Sequence, residues 1–178
     1  MHRSVLLNSL YDYLSRNPQE ALICQEFIHF VKTEAHCFER DLTKGHITAS
    51  ALLLNPSKDK ILLTHHKKLN MWLQPGGHAD GDSEFLQVAL KEAEEESGLI
   101  GLEILNEQIF DIDIHEIPAH KDDPPHKHYD IRIIVHSSKS EDYIVSDESH
   151  DLAWAELKTL EKWTREESIL RMRDKLLK

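Results

Sequence analysis

The sequence contains few cysteines, which argues against a fold held together by disulfide bonds. Its 178 residues include only two, Cys24 and Cys37, and their spacing is not that of a metal site. Free thiols in a reducing compartment are therefore expected, and we predict a cytoplasmic protein.

Long hydrophobic runs are also missing. No stretch reaches the length of a membrane-spanning helix. The first residues, MHRSVLLNSLYDYL, are interrupted by Asn8, Ser9 and Asp12 and lack the continuous apolar segment of a signal peptide. We therefore expect no membrane partner.

Basic residues are scarce relative to acidic ones. The 21 lysines and arginines stand against 32 aspartates and glutamates, which gives a net charge of −11. This balance argues against a nucleic-acid polymer as partner, because such binders present a basic surface. A small anionic substrate remains compatible with the charge if metal ions supply local positive charge.

The apolar pattern predicts two helices, then strands interrupted by one central helix, and a final helix. Asn17-Pro18 separates the first two helices, and Pro56–Asp59 joins the first two strands as a hairpin. We predict an α/β fold, an α/β/α sandwich with a mixed β-sheet, in which residues 1–40 form an N-terminal helical extension and 41–178 the main domain. The predicted helices are 3–16, 18–38, 82–97 and 157–178, and the later strands are 71–73, 102–117, 128–136, 142–145 and 152–155.

The central helix carries a cluster of carboxylates. An α-helix turns by about 100° per residue, so Glu92, Glu95 and Glu96 share one face. Like charges at this spacing repel, and divalent metal ions bound among them would remove the repulsion. A solvated acidic face is the simpler alternative. Asp82 or Ser83 is the expected N-cap and Gly98 the expected C-cap, and the opposite, apolar stripe comprises Leu86, Ala89, Leu90 and Ala93.

The stretch 76–99, GGHADGDSEFLQVALKEAEEESGL, resembles the Nudix box, G-x5-E-x7-R-E-U-x-E-E-x-G-U with U an apolar residue. The family's first Glu and its Arg are replaced by Ser83 and Lys91. In the family these two side chains support the loop and the helix, and Asp82 or Glu84 could pair with Lys91 instead. The matching positions are Gly77, Glu92, Ala93, Glu95, Glu96, Gly98 and Leu99.

The resemblance implies a Nudix-type fold and a Nudix hydrolase. Such an enzyme uses Mg²⁺ or Mn²⁺ to cleave the diphosphate linkage of a nucleoside diphosphate derivative, by attack of water on phosphorus. The implied catalytic residues are Glu92, Glu95, Glu96 and Glu148, with Glu92 or Glu148 as general base. The implied metal ligands are those three glutamates of the helix and the carbonyl of Gly76. Because Nudix proteins are often dimers, the resemblance also suggests a homodimer.

Thirteen histidines are many for this length, and His126, His128, Asp130 and Arg132 would share one face of a strand. We expect this face to line the substrate cleft, with Arg132 on phosphate; a polar outer face is the alternative. A zinc site from His126 and His128 lacks a visible third ligand.

Two further residues are expected to bind the substrate. His78 directly follows the glycine pair and should lie near the metal region, and Tyr129 has a ring that can stack on a base.

Two other functions compete with hydrolysis. One is a Nudix-fold nucleotide-binding or regulatory module without turnover, which the replacements Ser83 and Lys91 favour and the intact glutamates oppose. The other is an isomerase acting on a prenyl diphosphate, which needs a cysteine in its pocket. Cys24 and Cys37 both lie outside the resembling region, about 46–160.

Overall fold

The computed structural model describes residues 2–40, 43–119, 124–147 and 149–178. The chain begins with two helices, α1 (His2–Arg16) and α2 (Ala21–Thr33), separated by a short 3₁₀ turn at Pro18–Glu20. The break falls at Asn17-Pro18, as predicted, because proline suits the first position of a helical turn and cannot continue a helix. Among the described residues, no helix is long and apolar enough to cross a membrane.

The strands form one mixed sheet. They are β1 (Gly45–Leu54), β2 (Lys60–His66), β3 (Met71–Leu73), β4 (Gly76–His78), β5 (Glu103–Ile104), β6 (Asp111–Ile117), β7 (His126–His136) and β8 (Ser149–Glu156). Their order is β3-β2-β1-β7-β5, in which β4 pairs with β1, β6 with β7, and β8 with β2. Strands β1 and β7 run parallel, and the other pairs are antiparallel.

Alternate residues of β1 belong to two separate apolar cores. Ala49 and Leu53 pack in a cluster with residues of α1, α2 and the central helix α3 (Phe85–Ser97). Leu52 and Leu54 pack in a second cluster with residues of the last helix, α4 (Glu167–Leu176). Because side chains alternate between the faces of a strand, helices cover both sides of the sheet. The predicted α/β/α sandwich with a mixed sheet and an N-terminal helical pair is confirmed.

Several predicted segments differ from the observed elements. The second helix, predicted over 18–38, ends at Thr33. The strand 102–117 is divided by a turn in which the Asn106 side chain accepts the N–H of Gln108 at 3.0 Å. The segment 142–145 is not a strand, and β8 begins only at Ser149. The helix 157–178 is interrupted after a 3₁₀ turn, where the hydroxyl of Thr164 accepts the N–H of Glu166 at 3.2 Å and competes with helical hydrogen bonding.

Candidate active site

The central helix α3 begins three residues later than predicted and ends where predicted. Glu84 occupies the N-cap position and donates its N–H to Asp82 Oδ1 at 2.9 Å, so Asp82 orders the turn before the helix. Gly98 follows the helix with φ 67°, and its N–H donates to Glu94 O at 2.8 Å. This left-handed conformation favours glycine, which explains the helix end.

The three glutamates of α3 differ in exposure. Glu96 is buried at 8% relative exposure, Glu92 is half-buried, and Glu95 is exposed. Ala89 and Ala93 on the same helix are fully buried in the core. The three carboxylates therefore extend from the edge of the core, at Glu96, to the solvent, at Glu95.

The backbone of β4 lies directly against two of these carboxylates. The N–H of Gly76 donates to Glu96 Oε1 at 2.8 Å. A Cβ atom added at Gly77 would overlap the carboxylate of Glu92, and one added at Gly76 would overlap Ser50 of β1. Only glycine permits the close contact with Glu92 at position 77 and with Ser50 at position 76, and the pair holds Glu92 and Glu96 next to each other along β4.

Lys91 forms an ion pair with Glu95, one turn further along α3, at 3.7 Å. Both side chains are exposed, so the pair contributes little to stability. The sequence suggested Asp82 or Glu84 as partner for Lys91, whereas the observed carboxylate partner is one of the three clustered glutamates.

The residues of this site fit a hard divalent cation. The carboxylates of α3 and the carbonyl groups of β4 offer oxygen ligands, which Mg²⁺ prefers. A cleft of about 410 Å³ opens beside Glu92, between β4, the loop that follows it and α3. It is lined by His78, Ala79, Asp80, Asp82, Gln87, Val88, Lys91 and Glu92.

The loop at the mouth of this cleft is anchored to the N-terminal region. Arg40 donates two hydrogen bonds to Asp80, at 2.7 Å and 2.5 Å. These hydrogen bonds lower the pKa of the Asp80 carboxyl. Both side chains are exposed, so this pair, like that of Lys91 with Glu95, contributes little to stability.

The remaining predicted catalytic residue, Glu148, lies outside the described residues. Of the four predicted substrate-binding residues, His78 lines the cleft. The ring of His128 lies next to that of His78, with their centroids 5.0 Å apart. The sequence did not predict that these two histidines lie together, because His78 is on β4 and His128 on β7.

Arg132 and Tyr129 do not reach the cleft. Arg132 is 2% exposed and surrounded by carboxylates, with Nε donating to Asp130 Oδ2 at 2.8 Å and Nη1 to Asp111 Oδ2 at 3.3 Å. Tyr129 lies on the opposite face of β7, 6% exposed, where its ring stacks on Phe30 at 3.8 Å. The expected phosphate contact and base stacking therefore do not correspond to these positions.

A cluster of histidines, which we call the histidine cluster, consists of His46, His78 and His128. His46 was not among the predicted site residues, because only the pairing of β1 with β7 shows that it lies beside His128. Burial, reinforced by the neighbouring imidazoles, lowers the pKa of His46 to about 4 and that of His128 to about 2. Burial and the nearby Arg40 lower the pKa of His78 to about 4.

Both cysteines lie in the core rather than at the cleft. Cys24 and Cys37 are fully buried, and Cys24 donates its thiol to Leu10 O at 3.4 Å. Burial raises the pKa of each thiol to about 11. Neither is placed as the pocket cysteine that the isomerase alternative requires.

Several solved structures share this fold. An Ap4A hydrolase from C. elegans, in a binary complex, is 19% identical and matches with a TM-score of 0.55 over 73% of this chain and 93% of its own. The MutT protein from Methanosarcina mazei Go1 is 20% identical, with a TM-score of 0.56 over 73% and 91%. A NUDIX family hydrolase from Clostridium perfringens is 23% identical, with a TM-score of 0.53 over 75% and 98%.

A search of curated proteins gave no match. The model of the NUDIX domain, however, matches residues 44–175, which include the glycine pair and all of α3. The chain therefore belongs to the Nudix hydrolase family.

Proposed function

We propose that this protein is a metal-dependent hydrolase that cleaves the diphosphate linkage of a nucleoside diphosphate derivative by attack of water on phosphorus. The observation that carries the proposal is the contact of Glu92 and Glu96 with the glycine backbone of β4. Membership of the Nudix family supports a pyrophosphohydrolase in general terms.

Glu92, Glu95, Glu96 and the Gly76 carbonyl would hold Mg²⁺ or Mn²⁺. When bound, these ions would neutralise the diphosphate and lower the pKa of a coordinated water. The need is physical, because a chain of net charge −11 repels both a diphosphate and a hydroxide ion.

The protein's own residues would orient the reactants and move the proton. The hydrogen bond from Gly76 N–H fixes the Glu96 carboxylate before substrate arrives, so little reorganisation is needed. Glu92 lies in the wall of the cleft, where its carboxylate can accept a proton from the attacking water. Glu148 is the alternative base. We assign substrate contacts to His78, which lines the same cleft, and to His128, whose ring lies next to that of His78.

The proposed partner is a small nucleotide, acted on in the cytoplasm by a chain that we expect to form a homodimer. The structural neighbours carry the names of an Ap4A hydrolase, a MutT protein and a dihydroneopterin triphosphate pyrophosphohydrolase. Such varied names do not select one substrate, so the test must cover several classes.

The proposal is tested by a substrate screen with Mg²⁺ or Mn²⁺, following release of phosphate or nucleotide. The panel contains nucleotide sugars, NADH, ADP-ribose, dinucleoside polyphosphates and nucleoside triphosphates. We expect metal-dependent turnover of at least one class and none in excess chelator. Ligand binding without hydrolysis of any compound would instead establish the binding or regulatory module.

Substitution of Glu96 tests its assignment as a metal ligand. Glu96→Gln keeps the hydrogen-bond acceptor for Gly76 N–H but removes the charge that would bind metal. We expect kcat to fall at least about 100-fold, because even groups that only orient a metal ligand are worth about 10–100-fold. Glu94→Gln, on the same helix but outside the cluster, is the control and should retain activity. Circular dichroism and thermal unfolding check that both variants fold, and a Glu96→Gln enzyme as fast as wild type would contradict the metal assignment.

A further inference from the structure

The histidine cluster joins three strands on one face of the sheet. His46 of β1 is the register partner of His128 in the parallel β7, and His78 lies on β4, opposite Thr48 of β1. The ring centroids are 4.7 Å apart for His46 and His128, 4.9 Å for His46 and His78, and 5.0 Å for His78 and His128. One ring nitrogen from each residue can be chosen so that all lie within 4.8 Å of one another.

Within the described residues, three ring nitrogens of this cluster lack hydrogen-bond partners. His46 is 2% exposed, and neither its Nδ1 nor its Nε2 is bonded to any atom of the described residues. The buried Nε2 of His128 is likewise unbonded within that part of the chain. Buried polar atoms are normally satisfied, so a nitrogen of His46 and Nε2 of His128, which belong to the same close group of ring nitrogens, indicate a ligand.

The chemistry of the donors selects the kind of ligand. Neutral imidazole nitrogen binds Zn²⁺, Co²⁺, Ni²⁺ and Cu²⁺, whereas Mg²⁺ prefers oxygen. Histidine side chains are mostly uncharged at neutral pH, so a cation would meet lone pairs rather than protons. Zinc–nitrogen bonds of about 2.0–2.1 Å in a tetrahedron place ligand nitrogens about 3.3 Å apart. Small rotations of the imidazole rings would bring the nitrogens, which now lie within 4.8 Å of one another, to this distance.

We propose that His46, His78 and His128 bind a divalent transition-metal ion of the zinc class, at a site separate from the glutamates of α3. Three protein ligands leave a fourth position for water or for an oxygen of a bound molecule, the arrangement of reactive rather than purely structural zinc. His78 also lines the cleft that contains Glu92, so the proposed metal site and the cleft share one residue. The proposal does not depend on the proposed hydrolysis.

Two further histidines surround the cluster. His126 lies 4.9 Å from His46 and 5.3 Å from His128, and His115 lies 5.3 Å from His128, between ring centroids. His115 is also 3.3 Å from Asp113, a carboxylate that can fix its orientation. These residues supply a polar surround of the kind that tunes a metal site.

The test measures metal binding directly on the full chain. Chelator-treated protein is titrated with Zn²⁺ by calorimetry, and X-ray absorption at the zinc edge reports the ligand atoms. We expect one tight site per chain with nitrogen neighbours at about 2.0–2.1 Å. His128→Gln and His78→Asn should each weaken binding at least about 100-fold. His150→Gln removes an exposed imidazole outside the cluster and is the matched control, with unchanged affinity expected.

The outcomes separate this site from the glutamate site. Glu96→Gln should leave zinc affinity unchanged whatever happens to hydrolysis. If His128→Gln fails to fold, His78→Asn and the absorption spectrum of wild type still decide, because His78 is only partly buried. Absence of a tight site in wild type, oxygen-only coordination, or equal affinity of His78→Asn and His150→Gln would each overturn the proposal.

Discussion

At the scale of single residues, the candidate active site depends on two residues without side chains, Gly76 and Gly77 of β4. Because Gly77 has no side chain, the carboxylate of Glu92 can lie against β4, and because Gly76 has none, β4 can lie close to Ser50 of β1. In this position the N–H of Gly76 donates to Glu96. Carboxylates of like charge would otherwise spread apart into solvent. The glycine pair thus holds two carboxylates close together, where they can bind a cation.

Gly77→Ala tests this arrangement. Its Cβ would displace the Glu92 carboxylate, and a displacement of about 1 Å at a catalytic group can cost about 100-fold in rate. We expect a folded protein with strongly reduced kcat, measured on the best substrate of the screen. Gly101→Ala is the control, since the nearest side-chain atom, Lys139 Nζ, is 3.8 Å from its added Cβ. That variant should lose about 1 kcal/mol of stability because of its positive φ but keep its activity. Equal kcat for both variants would show that the close approach at Gly77 is not required.

At the scale of elements, a group of buried charges fastens α4 to the sheet. Asp111 of β6 is fully buried and accepts from Arg132 of β7 at 3.3 Å and from Arg171 of α4 at 2.7 Å. Lys175 of α4 adds a contact of 2.5 Å to the same carboxylate. Asp113 joins the group through Arg132 and Arg171, at 3.4 Å and 3.2 Å. Buried charges persist only when paired in this way, which explains why Arg132 is unavailable to a ligand.

Asp113 predicts a dependence of stability on acid pH. Burial alone would raise the pKa of its carboxyl, but the hydrogen bond from His115 and the charges of Arg132 and Arg171 lower the pKa to about 2. A lowered carboxyl pKa stabilises the fold fully above the unfolded value of 3.8, and the contribution is lost as pH falls through about 2. We expect Asp113→Asn to cost about 2 kcal/mol at pH 6 and roughly half of that at pH 3, measured by urea unfolding. A cost independent of pH would contradict the low pKa.

At the scale of the whole molecule, the N-terminal helices belong to the main core. Leu6, Leu10, Phe27 and Val31 are fully buried in the cluster that contains the inner residues of β1 and β7. The family match begins only at residue 44, so these helices are an addition to the part that the chain shares with its relatives. The division at residue 40 therefore separates segments of sequence that share one core.

Deletion of residues 2–40 tests whether the remaining chain can fold alone. Each large buried apolar side chain contributes about 1.5–3 kcal/mol, and the sum approaches the whole net stability of a domain, about 5–15 kcal/mol. We expect the shortened chain to be insoluble or to lose cooperative thermal unfolding. Leu22→Ala, on the exposed side of α2 at 87% exposure, should leave the full chain unchanged. A soluble shortened chain with a cooperative transition would show that residues 41–178 form an independent domain.

The features that could be predicted from the sequence depend on residues close together in the chain. The central helix with its Gly98 cap, the hairpin at Pro56–Asp59 and the break at Asn17-Pro18 all follow from local periodicity and backbone preferences. The break in the last helix was missed because a Thr164 side-chain hydrogen bond, rather than a glycine or proline, interrupts it. The short strand β4 was missed because its pairing partner, β1, supplies the reason for its extended form.

The sequence by itself determined the family and the candidate carboxylate site, because the box is contiguous and a helix converts spacing into a shared face. Only the tertiary structure decided which strands pair and which elements cover the faces of the sheet. The pairing of β1 with β4 and β7 gathers His46, His78 and His128, and α4 covers the end of the same face that holds Arg132. Strand alternation predicts a face, but register and packing, which depend on contacts distant in sequence, determine whether that face is a site or a core.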